Sequence, residues 1–296
     1  MKKLLKNLYH HLPFKKLLYT GLKQVWIPPA KVYQHLHFND TIRIDAGAGN
    51  SFQMVHYGHE LENEIFWKGL YGGWEKYSMS VWATLAVEAK VIFDIGANTG
   101  LYSLVAKSTN RNAAVHAFEP FGAICKKLAH NAAINRYNVV CNCLAVSDYT
   151  GDGVIYTADE NFAYSVTVNQ NLWTSDKDAI KLDIKTTTLK DYIEEHGITG
   201  IDLMKIDVET HEPEVMAGFS HFFNLYKPIL LIEILNEEVA AALAPYFPAG
   251  DFDIYNIDEL SGIKKVASLS KSDYYNFLIV PVEKAHLYNE KSFIRS

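Results

Sequence analysis

The chain has 296 residues, 49% of them hydrophobic, which is enough apolar material for a sizeable core and suits one domain with an extension or two small ones. A formal net charge of −6 divides unevenly: seven lysines (Lys2, Lys3, Lys6, Lys15, Lys16, Lys23 and Lys31) and no acid precede Asp40, so that segment carries +7 and the remainder −13. An acidic body argues against a large nucleic-acid footprint, and the lack of any run of about 18 apolar residues argues against a transmembrane helix.

In chain order, leucines recur near helical spacing over residues 2–26, and Pro13 divides the run into two short basic amphipathic helices. A leucine stripe beside lysines fits docking on an anionic membrane or on a partner subunit of a homo-oligomer, through residues 1–29; packing against protein is the favoured reading. Lysines and histidines interrupt any signal-peptide h-region and no small-residue cleavage site follows, so the segment is expected to be retained. HFNDTIRIDAGAGNSFQMVHYG then predicts a strand pair around a glycine turn, and LENEIFWKGLYGGWEKYSMSVWATLA predicts helix with a break at Gly72 and Gly73. Residues 1–85 are expected to form a small accessory region, and residues 86–296 the main domain.

After Glu88, apolar strands alternate with amphipathic helices. Strands are expected at Val91–Ile95, Ala114–Phe118, 139–146, 203–208 and 229–234, with helices starting near Thr99, Phe121, Thr188, Glu212 and Glu237. Such βαβ alternation implies a parallel sheet with helices on both faces. Residues 149–187 are polar and strand-prone (GVIYTA, YSVTV, IKLDIK) and read as a hairpin insertion. FDIYNI and NFLIV read as two last strands, the second antiparallel. Three cysteines, Cys125, Cys141 and Cys143, are too few for a disulfide framework and form no CxxC pair; Cys141 and Cys143 read as small apolar residues of one strand face, and a cytoplasmic, reducing location is expected.

The most specific local feature is VIFDIGANTGLYSL: a buried strand ends at Asp94 and passes through Gly96, Asn98 and Gly100 into a helix. Glycines there let the backbone turn sharply and approach a ligand at the carboxyl edge of a sheet. A dinucleotide site needs G-x-G-x-x-G, whose helix N-terminus holds a pyrophosphate, and the spacing here is different. S-adenosylmethionine has no pyrophosphate but carries an ammonium, a carboxylate and a sulfonium. Asp94 is placed to accept from the ammonium and loop N–H groups to meet the carboxylate. Glu119, 23 residues past Gly96 at the end of HAFEP, is placed to take both ribose hydroxyls. The bland alternative is that Asp94 caps a helix and Glu119 is a solvated loop acid. In CLAVSD, the backbone of Ala145 and Val146 and the side chain of Asp148 are further candidates, for the adenine.

In IDLMKIDVETHEPEV, Asp207, Glu209 and His211 alternate, and a strand continuing through them would put all three on one face. Three roles compete for the cluster: general base beside the methyl donor, ligands for a divalent metal that lowers a hydroxyl's pKa, or caps for the helix opened by Pro213. Capping is the reading favoured for Glu212. Glu233, inside PILLIEIL, is a further candidate for the same cleft or else a surface acid past a strand end.

Together, DIGANTG, AFEP, AVSD, KIDVETHEPEV and LIEI resemble, in order and spacing, the FkbM-type methyltransferases over about residues 90–234. The resemblance implies a Rossmann-like class I methyltransferase fold with a mostly parallel seven-stranded sheet, and S-adenosylmethionine-dependent O-methylation. It also implies Asp94, Gly96 and Glu119 at the cofactor, with Asp207, Glu209 and His211 near the acceptor. One departure is Thr210, where the family's VEGHE pattern has glycine. The implied acceptor is a hydroxyl of a small molecule, sugar or glycan precursor. RNA methylation is the weaker alternative: no N/D-P-P-Y/F element or Pro-Cys nucleophile occurs. A dehydrogenase is disfavoured by the glycine spacing, and a non-catalytic cofactor-binding protein by the intact acid cluster.

Overall fold

A computed structural model describes residues 14–73, 75–157 and 180–287. The chain divides into two compact units, Met1–Trp74 and Glu75–Ser296, so the helix Lys76–Ala86 goes with the second.

In the first unit, the glycine turn does what the sequence predicts: β1 (Asp40–Gly47) and β2 (Asn50–His56) pair antiparallel, and Gly47, Ala48 and Gly49 all take positive φ. The inward side of helix Lys15–Val25 is not the leucine stripe. Tyr19 is buried there against Phe38 and Trp67, whereas Leu17 and Leu18 face solvent. The helix predicted before Pro13 lies outside the described residues.

The second unit is built on one large sheet of eight strands rather than the expected seven. Its order is β12-β11-β13-β10-β9-β3-β4-β5, comprising β3 (Val91–Ile95), β4 (Ala114–Phe118), β5 (Val139–Asn142), β9 (Leu203–Ile206), β10 (Ile229–Glu233), β11 (Phe252–Asp258), β12 (Gly262–Val266) and β13 (Asn276–Pro281). β5, β4, β3, β9 and β10 are parallel, and β13, β11 and β12 antiparallel. The added strand is β12, an exposed edge without apolar alternation.

Period-two alternation sends Phe93, Ile95, Met204, Ile206, Leu230 and Ile232 to one face, packed on Tyr192, Val215, Phe219 and Leu243 of the later helices. The opposite face therefore carries Asp94 and Lys205, which lie side by side in register. Helix Leu101–Thr109 covers that face, its Tyr102 ring lying 4.6 Å from Lys205 Nζ. The chain winds from β3 outward to β4 and β5, then returns to place β9 on the other side of β3. The gap between the carboxyl ends of β3 and β9 is thus the topological switch point, where such sheets bind ligands.

Two expectations are corrected. The single strand predicted over 139–146 is broken after Asn142: β6 (Ala145–Val146) leaves the main sheet and joins β8 (Ile180–Thr187) and β7 (Gly151–Thr157) in a second, three-stranded sheet. β7 and β8 form the predicted hairpin arms; YSVTV lies outside the described residues. Cys125 and Cys143, read as unpaired, form a disulfide between helix Gly122–Ile134 and the segment after β5, leaving Cys141 as the thiol. The reducing-compartment reading loses the support of unpaired cysteines. Among the described residues no helix is long and apolar enough to cross a membrane.

Candidate active site

Asp94 is completely buried at the end of β3. One carboxylate oxygen accepts from Ser103 Oγ at 2.6 Å, while Oδ1 has no hydrogen-bond partner. An orphaned buried carboxylate oxygen is costly, and a cationic ligand group would satisfy it. Gly96 follows with φ of 78°, and a Cβ there would stand 1.7 Å from the Asp207 carbonyl oxygen. Only glycine lets this loop lie so close to the start of the β9 turn. Gly100 (φ 94°) is similarly pressed by Leu128.

Loop N–H groups are used differently from the expectation. Gly96 and Ala97 both donate to the Phe118 carbonyl, Asn98 N to Glu119 Oε2 at 3.0 Å, Thr99 N to Asn98 Oδ1, and Gly100 N to the Ala97 carbonyl. They brace the loop against β4 instead of standing ready for a carboxylate. Glu119 also accepts from Phe121 N at 2.9 Å, so each of its oxygens keeps a remaining lone pair. Burial pushes its pKa up to about 7 against those two hydrogen bonds. It is a clamped, buried acid, not a solvated loop residue.

The cluster after β9 is a turn and not a strand. β9 stops at Ile206, Glu209 and Thr210 take φ of 55° and 75°, and His211 begins helix Glu212–Tyr226. Thr210, where the family pattern has glycine, therefore occupies the left-handed region that favours glycine. Asp207, Glu209 and His211 consequently do not share one strand face. Asp207 Oδ2 pairs with Lys205 Nζ at 2.6 Å and does not hold the histidine ring. His211 instead meets Ser147 Oγ through Nε2 (3.0 Å) and Glu214 through Nδ1 (3.4 Å). Ser147 Oγ in turn donates to Asp148 Oδ1 at 3.1 Å, which places Asp148 with the histidine. Burial lowers the His211 pKa, opposed by Glu214 and Asp148, which favours the neutral imidazole at pH 7; with Nε2 donating to Ser147 Oγ, the basic lone pair is at Nδ1.

Glu212 caps more tightly than a surface acid does. Its side chain is buried, Oε1 accepts from Val208 N at 3.0 Å, and Oε2 is orphaned. Burial raises Glu212 to about 8, Glu209 to about 7 and Glu233 to about 10, and in each case Asp207 adds to the rise. Glu233 belongs to this acidic group and not to the surface. Ala145 and Val146 are core residues whose strand pairs with Thr186 and Thr187; Ala145 packs with Phe121 and Ile124, just past Glu119. Among the described residues no group of three or more His, Cys, Asp or Glu side chains is arranged to hold a metal ion.

Lys205 and Glu75 were not singled out in the sequence. Lys205 is buried in the central strand; burial acts to lower its pKa, but Asp207, Asp94 and Glu75 hold it above the ordinary lysine range. Glu75 receives Tyr102 Oη at 2.9 Å and Asn276 Nδ2 at 3.0 Å. The signal was present in IDLMKID, a lysine inside an apolar central strand, which needs a buried partner.

A mostly parallel, doubly wound sheet whose switch point is ringed by carboxylates, with no pyrophosphate-type glycine helix, defines the Rossmann-like class I methyltransferase architecture. Residues 94–252, more than half of the chain, match the Methyltransferase FkbM domain, and the protein belongs to that family. It is 30% identical to the 31-O-demethyl-FK506 methyltransferase FkbM of Streptomyces tacrolimicus, over 43% of this chain and 58% of that protein. It is also 30% identical to the methyltransferase sdnD of Sordaria araneosa, over 43% and 59%. The chain thus spans somewhat over half the length of these curated relatives. Among solved structures it resembles methyltransferase FkbM of Methylobacillus flagellatus (12% identity, TM-score 0.38, 64% of this chain and 43% of that one). It also resembles an S-adenosylmethionine-dependent methyltransferase of Agrobacterium tumefaciens (9% identity, TM-score 0.42, 82% and 71%).

Proposed function

We propose that the protein is an S-adenosylmethionine-dependent O-methyltransferase acting on a hydroxyl of a small molecule, sugar or glycan precursor. The observation that carries this reading is the orphaned Asp94 oxygen, buried at the switch point beside Gly96. When bound, the cofactor supplies an electrophilic methyl group on a sulfonium. Asp94 would accept from its ammonium, Glu119 would use its remaining lone pairs on the ribose hydroxyls, and the surface past Glu119, with Ala145 and Val146, would border the adenine. Gly96, Asn98 and Gly100 set the loop's path. Asp94 and Asp207 stand beside a single lysine, Lys205, which is already paired with Asp207, so the site favours a ligand carrying positive charge.

On the acceptor side, His211 takes the hydroxyl proton as the oxygen attacks, since a neutral alcohol is a poor nucleophile without a base. Glu214 and Asp148 stabilise the resulting imidazolium. Glu209 and Asp207 orient the acceptor and hold the local field. Oxygen as the target is supported by the Streptomyces relative, whose name specifies an O-demethyl substrate. Incubation with S-adenosylmethionine and a panel of sugar alcohols, phenols and amines tests the class. S-adenosylhomocysteine should form with hydroxyl acceptors and the product should carry its methyl on oxygen; turnover confined to amines, or to RNA, would reject it.

A further inference from the structure

The side of helix Lys15–Val25 that the fold leaves in solvent is apolar. Phe14, Leu17, Leu18 and Val25 recur at helical spacing and are exposed, Leu17 by 71% and Val25 by 83%, and Trp26, Ile27 and Val32 continue the exposed apolar surface beyond the helix. Soluble surfaces carry scattered apolar residues, but a contiguous stripe of this kind marks an interaction face. The inward side is already filled: Tyr19 packs on Phe38 and Trp67, and Lys23 donates to the Phe66 carbonyl. The exposed stripe is thus not the unit's own core.

Charge decides what covers it. Residues 14–39 hold four lysines and no acid; Lys23 turns inward to the Phe66 carbonyl and Lys16 pairs with Asp40 at 3.2 Å, yet the stretch stays net positive. A second copy would bring like charge against like, whereas an anionic lipid surface complements it. Phe14 and Trp26 near the two ends of the stripe supply aromatic groups suited to the headgroup boundary. We propose that residues 14–32 form a peripheral docking face for anionic membrane, with the helix lying in the plane of the interface.

Flotation of the full-length protein with vesicles tests this. Protein should float with vesicles of phosphatidylcholine containing roughly one third phosphatidylglycerol and remain below with phosphatidylcholine alone, because about one favourable interaction per lysine is lost without anionic lipid. Raising salt to roughly 0.5 M should weaken binding through screening. The double variant Leu17→Gln, Trp26→Ala changes only exposed side chains and should reduce vesicle binding at least about tenfold with unchanged circular dichroism. Failure of the wild type to float, or equal flotation of the variant, would overturn the proposal. So would a wild-type dimer in sedimentation that the variant splits without any vesicle binding, since the stripe would then be an interface between copies.

Discussion

Replacing His211 with alanine should lower turnover by about 10²–10⁴-fold, the usual contribution of a positioned general base. The S-adenosylmethionine dissociation constant should change little, because the ring's contacts are Ser147 and Glu214 and not the Asp94 side of the cleft. The pH dependence carries a second signature. Burial first, against Glu214 and Asp148, holds the His211 pKa below its ordinary 6.5. Wild-type turnover should therefore rise with pH through a midpoint below 6.5, a step distinct from the ionisation of Glu119 and Glu209 at about 7. In His211→Ala that acid limb should vanish. Near-wild-type turnover in His211→Ala would remove the base and leave positioning of the acceptor as the main source of rate.

Lys205→Met should destabilise the fold by about 3–5 kcal/mol, because deleting one partner of a buried ion pair leaves an uncompensated charge. Here several carboxylates depend on the one cation: Asp207 at 2.6 Å, with Asp94 and Glu75 close enough to raise its pKa. Methionine fills much the same volume, so the loss reads charge and not a cavity. Denaturant unfolding measures it as a lower midpoint with an unchanged slope. In the double variant Lys205→Met, Asp207→Asn the loss should be much smaller than the sum of the two singles, as coupled partners require. A change under about 1 kcal/mol in Lys205→Met would mean that the cluster is well solvated and that the cleft's field does not depend on this lysine.

The glycine loop at the switch point was legible because it is written in consecutive residues. Asp94 and Glu119 end apolar strands, and the intervening glycines signal a turn that only they permit. The cluster after β9 was misread at one point. A polar alternation in DVETHE has the period of a strand, yet Glu209 and Thr210 turn through the left-handed region. Neither is the glycine that would have announced it. His211's partners were out of reach for another reason. Ser147 is brought to the ring by β6, and β6 is held by Thr186 and Thr187 some forty residues later in the chain. The same long-range pairing draws Ala145 and Val146 out of the main sheet. Cys125 and Cys143 meet because a helix packs against the segment after β5; nothing in their spacing of 18 states it. β12 escaped notice since an edge strand with solvent on it needs no apolar alternation.

Everything proposed for this cleft depends on whether Asp94 holds the cofactor's ammonium, and isothermal titration calorimetry measures that directly. Wild-type protein should bind S-adenosylmethionine and S-adenosylhomocysteine and give no heat with NAD. Asp94→Ala should weaken binding by about 1.5–3 kcal/mol, the range for a hydrogen bond to a charged group, with the fold intact by circular dichroism. Binding of NAD by the wild type, or equal S-adenosylmethionine affinity in a folded Asp94→Ala, would contradict the assignment.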